Sequence, residues 1–327
     1  MENLLEIRDL QVSFGGSKNK VNVIKGLNIE IKRGETLGIV GESGSGKSVT
    51  SLAVMGLLPQ HTSHVRGEIN FEGENLLALS SRALEKLRGN KIAMIFQEPM
   101  TSLNPIQTCG RQIMEPLMLH MGMKKKEAAA RARDLLKLCG ISAPEQRMKE
   151  YPHQMSGGMR QRIMIAIALA CNPSLLIADE PTTALDVTIQ AQILELMKEL
   201  KSKINMSIMM ITHDLGIVAD SCDRVVIMYA GQIVESAPTA ELFADPRHPY
   251  TKGLLNAIPM LDKKKERLES IDGMVPDADK MPKGCRFHPR CSASMPKCSA
   301  AAPRLTKCGE NRFVRCFLFS DETEENT

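Results

Sequence analysis

One short segment near the N-terminus has the residue types and spacing of a phosphate-binding loop. Residues Gly41–Ser48 read GESGSGKS and fit the pattern G-x-x-x-x-G-K-[ST]. The glycines permit a tight turn whose backbone N–H groups point inward at phosphate oxygens. Lys47 is expected to reach the β- and γ-phosphates, and the Ser48 hydroxyl to bind Mg²⁺. The segment therefore predicts binding of ATP or GTP.

A pair of adjacent carboxylates supplies the second element of that chemistry. Asp179 and Glu180 end the apolar run Leu175–Ala178. Alone, such a pair is more often solvated than catalytic, but in a chain with a phosphate loop it falls where the Mg²⁺-binding Asp belongs. We expect Asp179 to bind the metal, directly or through water. Glu180 is expected to polarise the water that attacks the γ-phosphate.

Alternating strands and helices would hold these residues in place. Thr36–Val40 is predicted to be a buried strand that enters the phosphate loop, and Val49–Leu58 a helix that leaves it. The other predicted strands are 4–14, 21–32, Ile92–Phe96, Leu175–Asp179, Ser207–Thr212 and Arg224–Tyr229, and further helices are predicted at Val187–Ser202 and Leu215–Ala219. This alternation predicts an α/β fold with a mostly parallel sheet covered on both faces.

Two segments depart from the alternation. Residues 100–165 contain helical patterns at Ile113–Leu119 and Glu127–Leu138 and no convincing strand, which predicts a helical insertion. After residue 237 the chain is rich in proline, and five of its nine cysteines lie there. We therefore expect a core of residues 1–99 and 166–237, a helical subdomain of 100–165, and a C-terminal extension of 238–327 with few regular elements.

Bulk composition excludes several classes of protein. The chain has 327 residues, 43% of them hydrophobic, and a net charge of only +4, so nothing demands a nucleic-acid partner. No apolar run reaches the roughly 18 residues of a membrane span. The acidic start MENLLE lacks the features of a signal peptide. We expect a cytoplasmic chain that meets a membrane only through a partner.

Further motifs resemble those of ATP-binding cassette (ABC) proteins, over residues 1 to about 250. Met155–Arg162 (MSGGMRQR) resembles the family's signature motif, usually Leu-Ser-Gly-Gly-Gln, with methionine at its first and last positions. Gln97 resembles the Q-loop glutamine, Thr183–Asp186 the D-loop, and His213 the switch histidine. Phe14 stands where the family stacks an aromatic ring on adenine.

This resemblance implies a fold and a set of site residues. The fold would be the ABC ATPase core with an antiparallel β subdomain, a helical insertion and the extension. Two cassettes pack head to tail in the family, so each ATP lies between one subunit's phosphate loop and the other's signature motif. The implied catalytic residues are Lys47, Gln97, Glu180 and His213, and the implied Mg²⁺ ligands are Ser48, Gln97 and Asp179. The implied nucleotide-binding residues are Phe14, Gly41, Ser43, Gly44, Gly46, Lys47, Ser48, Val49, Ser156, Gly157, Gly158 and Asp186.

The cysteines of the extension predict a metal site. Cytosolic chains seldom keep structural disulfides, and four thiolates suit Zn²⁺ or an iron–sulfur cluster; reduced free thiols are the alternative. The segments 96–105, 151–154, 246–251 and 284–291 resemble dipeptide and oligopeptide importer ATPases. That resemblance implies a [4Fe-4S] cluster on Cys285, Cys291, Cys298 and Cys316, with Cys308 extra to the pattern.

Together these resemblances imply the ATPase subunit of a di- or oligopeptide importer. Its expected partners are a second, paralogous cassette, two transmembrane permease subunits and an extracytoplasmic substrate-binding protein, and we expect it at the cytoplasmic face of the membrane. Three alternatives remain at this point: an importer of nickel or another small solute, a non-transport cassette protein acting on nucleic acid or ribosomes, and an iron–sulfur redox sensor that gates hydrolysis.

Overall fold

The structure is a computed structural model that describes residues 2–16, 19–97, 102–183, 185–257 and 271–319. Its strands are β1 (Asn3–Phe14), β2 (Val21–Lys32), β3 (Thr36–Val40), β4 (Ser63–Phe71), β5 (Glu74–Asn75), β6 (Ile92–Ile95), β7 (Leu175–Asp179), β8 (Ser207–Thr212), β9 (Arg224–Tyr229), β10 (Gln232–Pro238), β11 (Thr306–Gly309) and β12 (Arg312–Val314). Its α-helices are α1 (Lys47–Val54), α2 (Ser81–Leu87), α3 (Cys109–Met121), α4 (Lys125–Leu138), α5 (Pro144–Arg147), α6 (Gly157–Ala168), α7 (Val187–Ile204), α8 (Leu215–Ser221), α9 (Thr239–Ala244), α10 (Pro249–Asn256) and α11 (Pro296–Ala300).

All of the predicted strands are present, and most of their bounds are met within a residue or two. The helix after the phosphate loop is shorter than predicted and ends at Val54 rather than Leu58. Gly56 follows in a left-handed conformation with φ 60°, and Pro59 comes soon after it. A left-handed glycine and a nearby proline are the usual stop for a helix. Strands β4 and β10 were missed in the prediction; Gly67 interrupts the pattern of β4.

Chain contacts divide the described molecule into two compact units. The first unit consists of residues 1–4, 31–35 and 75–211, and the second of residues 5–30, 36–74 and 212–327. Glu98–Thr101 and Ala184, which belong to two of the motifs above, lie outside the described residues, as do residues 258–270.

The first unit carries a parallel sheet. Strand β7 lies between β6 and β8, with Leu175 opposite both Ile92 and Ser207. All five residues of β7 and all six of β8 are buried, as expected for parallel strands covered on both faces. Because the strands are parallel, their carboxyl ends meet at one edge, where β6 leads to Gln97 and β7 leads to Asp179 and Glu180.

Helices α3 to α6 follow in the same unit. Thr108 caps α3 by accepting a hydrogen bond from the backbone N–H of Arg111 (3.4 Å), and Gly122, with φ 65°, ends it. Apolar residues on α3, α4 and α6 are buried, among them Ile113, Leu135 and Ile163. The described part of residues 100–165 contains helices and no strand, as predicted.

The second unit carries a mixed sheet and a small antiparallel sheet. Strand β3 runs parallel to β9, with Leu37 opposite Arg224, and β10 runs antiparallel to β9. The antiparallel sheet has the order β2-β1-β4-β5. A bulge in β1 places Asp9 in a left-handed conformation against Gly67, where a Cβ would lie 2.5 Å from the Asp9 carbonyl oxygen.

The C-terminal extension is part of the second unit's fold rather than an appendage to it. Strand β12 pairs with β10, placing Val314 opposite Glu235, and β11 pairs with β12. Four rings pack where the extension meets the sheet, with centroids 4.8–5.7 Å apart: Tyr229, His248, Tyr250 and Phe287. No helix among the described residues is long and apolar enough to cross a membrane.

His248 anchors the start of α10 and makes the stability of the second unit depend on pH. Its Nδ1 accepts a hydrogen bond from the backbone N–H of Tyr250 (3.0 Å), and Glu235 Oε2 accepts one from the backbone N–H of His248 (2.8 Å). Burial lowers the pKa of His248 from 6.5 to about 3, against a hydrogen bond to the backbone of Arg315 that raises it. The ring is therefore neutral in the folded chain.

Replacing His248 with Asn should flatten the acid side of the stability curve. Below pH 6.5 the unfolded chain binds a proton that the folded chain does not, so the stabilisation is complete above that pH and is lost as pH falls. The loss is about 1.4 kcal/mol per pH unit, or about 2 kcal/mol between pH 6.5 and 5.0. Denaturant unfolding at several pH values measures it. His61→Asn at an exposed histidine is the control, and an unchanged slope in His248→Asn would contradict the prediction.

Candidate nucleotide site in two parts

The backbone of the phosphate loop demands glycine at particular positions. Gly44 and Gly46 have φ values of 80° and 100°, conformations that side chains with a Cβ rarely adopt. A Cβ on Gly41 would lie 2.2 Å from the carbonyl oxygen of Met228. The loop is thus packed tightly against β9 at its first residue. Ser43 and Gly44, at its crest, are exposed.

Lys47 is held inside the curve of this loop. Its ammonium donates to the carbonyl oxygens of Gly41 (2.6 Å) and Glu42 (3.0 Å) and to the hydroxyl of Ser45 (3.4 Å). The residue is 6% exposed. These partners hold the ammonium inside the loop, in the turn where the sequence predicts that phosphate binds.

Helix α1 adds a partial positive charge to the same place. Gly46 stands at its N-cap with no side-chain cap, and its first turn contains no acidic residue. The partial positive charge of such a helix start suits an anion. Ser48 is exposed and Val49 is half-buried. Elsewhere in this unit, Phe14 is half-buried at the end of β1, and His213 is exposed directly after β8.

The candidate catalytic carboxylate lies in the first unit, at the carboxyl end of the parallel strands. Gln97 Nε2 donates to Glu180 Oε2 (3.0 Å), and the Thr183 hydroxyl donates to the same oxygen (2.9 Å). The sequence-based prediction treated Gln97 and Glu180 as separate motifs, and the structure brings their side chains into contact. Asp179 is 5% exposed at the end of β7.

Glu180 has a backbone conformation that is uncommon for its residue type. Its φ is 48°, in the left-handed region, which costs about 1–2 kcal/mol for a residue with a Cβ. Its backbone N–H donates to the carbonyl oxygen of Ile211 (2.8 Å), and its carbonyl accepts from the N–H of Thr183 (3.2 Å). Residues held in such conformations cluster at functional sites.

The signature segment forms the N-terminus of α6. The Ser156 hydroxyl accepts a hydrogen bond from the backbone N–H of Met159 (3.3 Å), and Ser156 and Gly157 are exposed. A Cβ on Gly158 would lie 2.9 Å from the Ile189 side chain, which explains glycine there. Gln161 Nε2, one turn further on, donates to the carbonyl oxygen of Pro181. This hydrogen bond connects α6 directly to the loop that carries Glu180.

Asp186 has a structural role that its assignment to the nucleotide site did not include. Its Oδ1 accepts a hydrogen bond from the backbone N–H of Ile189 (3.0 Å) and caps α7. An aspartate at this cap also suits the positive end of the helix. The side chain is nevertheless exposed.

The four cysteines named for a cluster are neighbours in the second unit. Burial raises the pKa of Cys316 first of all, and the thiols of Cys285, Cys291 and Cys298 raise it further. Cys308 is not among the groups that perturb it. Within the part of the chain that the structure describes, however, no three His, Cys, Asp or Glu side chains are placed to bind one metal ion. The iron–sulfur cluster therefore remains a prediction.

Sequence reasoning missed three residues that shape these sites. Thr183 and Gln161 fix the Glu180 loop, and Glu42 joins the phosphate loop to the C-terminal extension, where Arg290 Nη1 donates to Glu42 Oε1 (3.1 Å). The first two lie inside segments that the sequence analysis matched to motifs, but it gave neither side chain a role. The contact of Glu42 with Arg290 spans 248 residues of sequence, so no local signal could have revealed it.

The two parts define a class of protein. One has a strand, a glycine loop and a helix around a buried lysine, and the other has parallel strands that end in paired carboxylates. Together they are the elements of a phosphate-loop nucleoside triphosphatase.

Comparison with known proteins narrows this class. A family model described as ABC transporter matches residues 24–183, and one described as oligopeptide/dipeptide transporter, C-terminal region, matches residues 234–298. The oligopeptide transport ATP-binding protein AppD of Bacillus subtilis is 53% identical over 328 residues, covering 100% of both chains. The dipeptide transport ATP-binding protein DppD of Haemophilus influenzae is 52% identical over 314 residues, 96% of this chain and 94% of its own.

Solved structures agree with these matches. A dimeric ATP-binding cassette, MJ0796, in a post-hydrolysis state with ADP and Pi, is 28% identical with a TM-score of 0.64, over 72% of this chain and 98% of its own. The chain belongs to the family of ABC transporter ATP-binding proteins.

Replacing Glu180 with Gln should separate binding from hydrolysis. Gln keeps the shape and can still accept from Gln97 and Thr183, but it cannot take a proton from water. We expect ATP affinity to be retained and turnover to fall about 100-fold or more. Calorimetric ATP binding and phosphate release measure the two. Glu199→Gln, which removes an exposed ion pair with Lys203 (3.3 Å) on α7, is the control. Wild-type turnover in Glu180→Gln would rule out Glu180 as the catalytic carboxylate.

Proposed function

We propose that this chain is the ATP-hydrolysing subunit of a membrane importer for di- or oligopeptides, at the cytoplasmic face of the membrane. The observation that carries the proposal is the buried, loop-bound Lys47 in a chain whose extension matches the oligopeptide/dipeptide transporter C-terminal region. Lys47 and its loop supply the site for ATP, and the matched C-terminal region indicates a peptide transporter rather than another kind of cassette. Relatives named for oligopeptide and dipeptide transport match along nearly the whole chain.

Each site residue has a definite role in this proposal. Lys47 and the N–H groups of the loop bind the phosphates and neutralise charge as the terminal phosphoryl group leaves. Ser48, Asp179 and Gln97 offer oxygen ligands suited to Mg²⁺, which supplies further neutralisation of phosphate charge when bound. Glu180 accepts the proton of the attacking water, while Gln97 and Thr183 orient its carboxylate. His213 contacts the γ-phosphate.

A second cassette completes the site in this proposal. The signature residues Ser156 and Gly157 are exposed at a helix N-terminus, an arrangement suited to phosphate. Their charge partner would be the ATP held by the other subunit, and the solved cassette MJ0796 is dimeric. We propose that the second cassette is a paralogous chain, so that the pair is a heterodimer rather than a homodimer.

The permease is proposed to dock on the helical segment of the first unit. A groove of about 1250 Å³ lies there, lined in part by Arg111, Met114, Met118 and Leu119. Leu119 and Met118 are 72% and 43% exposed. Exposed apolar residues beside basic ones suit a helix end of a membrane protein, since such patches mark interaction sites.

Capture of the tagged chain from membranes tests the partners and the docking surface together. We expect two permease subunits, a second cassette and a peptide-binding protein to be captured. Met118→Glu should reduce capture of the permease about tenfold or more by burying a charge in an apolar contact. Met274→Glu, at a methionine that is 87% exposed in the extension, is the matched control. Capture of ribosomes or nucleic acid without a permease would contradict the proposal, and a nickel-binding protein would change its cargo.

We also propose that Cys285, Cys291, Cys298 and Cys316 bind a metal centre, a [4Fe-4S] cluster or alternatively Zn²⁺. Support comes from three of the four thiols: burial raises the pKa of Cys285, Cys291 and Cys316, and neighbouring cysteine thiols of the set raise it further. Crowded thiols of this kind lose protons to a metal readily at neutral pH when it binds. The arrangement of the side chains would have to tighten to form the site, since no three donors are placed for one ion among the described residues.

Metal analysis of the anaerobically purified chain tests this assignment. We expect the wild-type chain to contain iron and sulfide in equal amounts. Cys291→Ser should remove both, and Cys308→Ser should leave both unchanged. The ratio follows from the composition of the cluster. Zinc in place of iron would select the alternative. Full metal content in Cys291→Ser would contradict the four-cysteine assignment.

A further inference from the structure

The C-terminal extension contacts the phosphate loop through one buried ion pair. Arg290 Nη1 lies 3.1 Å from each carboxylate oxygen of Glu42, the second residue of the loop. The Arg290 side chain is 7% exposed and that of Glu42 is 30% exposed. A pair with one partner so well buried is screened by solvent far less than a surface pair. The side chain of Glu42 is not expected to bind phosphate, because both groups are negatively charged.

Arg290 is itself held rigidly. Its Nε donates to the carbonyl oxygen of Asp272 (2.8 Å), and its Nη2 donates to those of Ile271 (3.3 Å) and Gly273 (3.1 Å). Its guanidinium lies over the ring of Tyr229, 5.7 Å from the centroid. Two of the three guanidinium nitrogens are therefore fixed by the extension, and the plane of the group is held against Tyr229 of β9. A guanidinium in such a setting presents its remaining N–H to Glu42 without further loss of rotamer freedom.

Tyr250 fixes the backbone of the same loop residue. Its hydroxyl accepts a hydrogen bond from the backbone N–H of Glu42 (3.0 Å). The residue is fully buried and packs edge-on against Tyr229 (4.8 Å between centroids) and against Phe287 (5.3 Å). Glu42 is thus held at its side chain by Arg290 and at its backbone by Tyr250, from elements that follow it by more than 200 residues.

A second connection reaches the loop from behind. Arg286 Nη1 donates to the carbonyl oxygen of Ala230, and the next residue, Gly231, donates its N–H to the carbonyl oxygen of Ser45 (2.9 Å). A Cβ on Gly231 would lie 1.8 Å from the Val23 carbonyl oxygen, so this turn is tightly confined. The extension therefore supports the loop at both Glu42 and Ser45.

These supports act on the residue that binds phosphate. Two of the acceptors that hold the Lys47 ammonium are the Glu42 carbonyl and the Ser45 hydroxyl, the residues at which the extension supports the loop. A glycine-rich loop left to itself would lose conformational entropy on closing around phosphate. Fixing it beforehand removes that cost from binding.

We propose that the C-terminal extension positions the phosphate loop for nucleotide binding, and that Arg290 and Tyr250 are positioning residues that act through Glu42. The inference rests on the proposed function in one respect, that the loop binds ATP. It gives the C-terminal extension a role in ATP binding, in addition to the metal site predicted from its cysteines.

ATP titration of the full-length chain by calorimetry, with thermal unfolding of each variant without nucleotide, tests the proposal. Arg290→Gln and Glu42→Gln should each weaken ATP binding about tenfold, which is about 1.4 kcal/mol. The double variant should be no weaker than either single one, because the two side chains act as one unit. Tyr250→Phe, which keeps the packing and removes the hydroxyl, should weaken binding severalfold.

Arg312→Gln is the matched control. Arg312 is also a buried arginine of the extension, but it pairs with Glu235, Glu241 and Asp245 (3.8, 3.8 and 3.4 Å), none of which belongs to the phosphate loop. This variant should lower the unfolding temperature and leave ATP affinity unchanged. If Arg290 had a purely structural role, Arg290→Gln and Arg312→Gln would change the unfolding temperature and the ATP affinity in the same way.

Three results would overturn the inference: wild-type ATP affinity in Arg290→Gln, an equal loss of affinity in Arg312→Gln, or additive losses in the double variant. Failure of the wild-type chain to bind ATP would instead overturn the proposed function. The two failures are therefore distinguishable in one set of titrations.

Discussion

The buried ammonium of Lys47 is the constraint on which the second unit depends. A charge at 6% exposure is costly unless hydrogen bonds surround it, and here two loop carbonyls and a hydroxyl do so. Those acceptors converge only if the loop turns through Gly44 and Gly46 in conformations other residues avoid. The same loop path brings Gly41 against β9, where a Cβ would have no room. The burial of this one charge therefore goes together with glycine at positions 41, 44 and 46.

The first unit depends on the direction of its strands. Parallel pairing of β6 with β7 brings the residues that follow them to a single edge, and this is why Gln97 and Glu180 meet at 3.0 Å across 83 residues of sequence. Glu180 has a left-handed backbone conformation there, and its carboxylate accepts hydrogen bonds from both Gln97 and Thr183. Gln161 connects the same loop to the signature helix. A displacement of α6 would therefore act, through this hydrogen bond to Pro181, on the loop that carries Glu180.

The C-terminal extension is the part of the chain whose structure differs most from the sequence-based expectation. Its prolines and cysteines predicted an irregular metal-binding tail, and its cysteines are indeed neighbours. Yet β11 and β12 extend the sheet at β10, and Phe287 enters a cluster of rings with Tyr229 and Tyr250. The segment that carries Cys285 and Cys291 also carries Arg286 and Arg290. Any centre built on those thiols would lie one residue away from the supports of the phosphate loop.

The sequence by itself determined the local chemistry. The loop Gly41–Ser48, the strand that ends in Asp179 and Glu180, and the signature at Ser156 are contiguous patterns, because each depends on backbone conformation and charge within a few residues. The order and burial of the main strands followed from the same periodicity. Strand β4 escaped notice because Gly67 leaves a gap in its apolar alternation, and its place opposite the bulge of β1 is set only by the fold.

Only the tertiary structure decided which distant residues share a site. The pairing of Glu42 with Arg290, the hydrogen bond from Glu42 to Tyr250 and the contact of Gln97 with Glu180 all join residues separated by 83 to 248 positions. An arginine beside a cysteine has no local signal that specifies its partner, since an ion pair forms wherever folding brings opposite charges within about 4 Å. The fold therefore placed the supports of a loop whose chemistry the sequence had already defined.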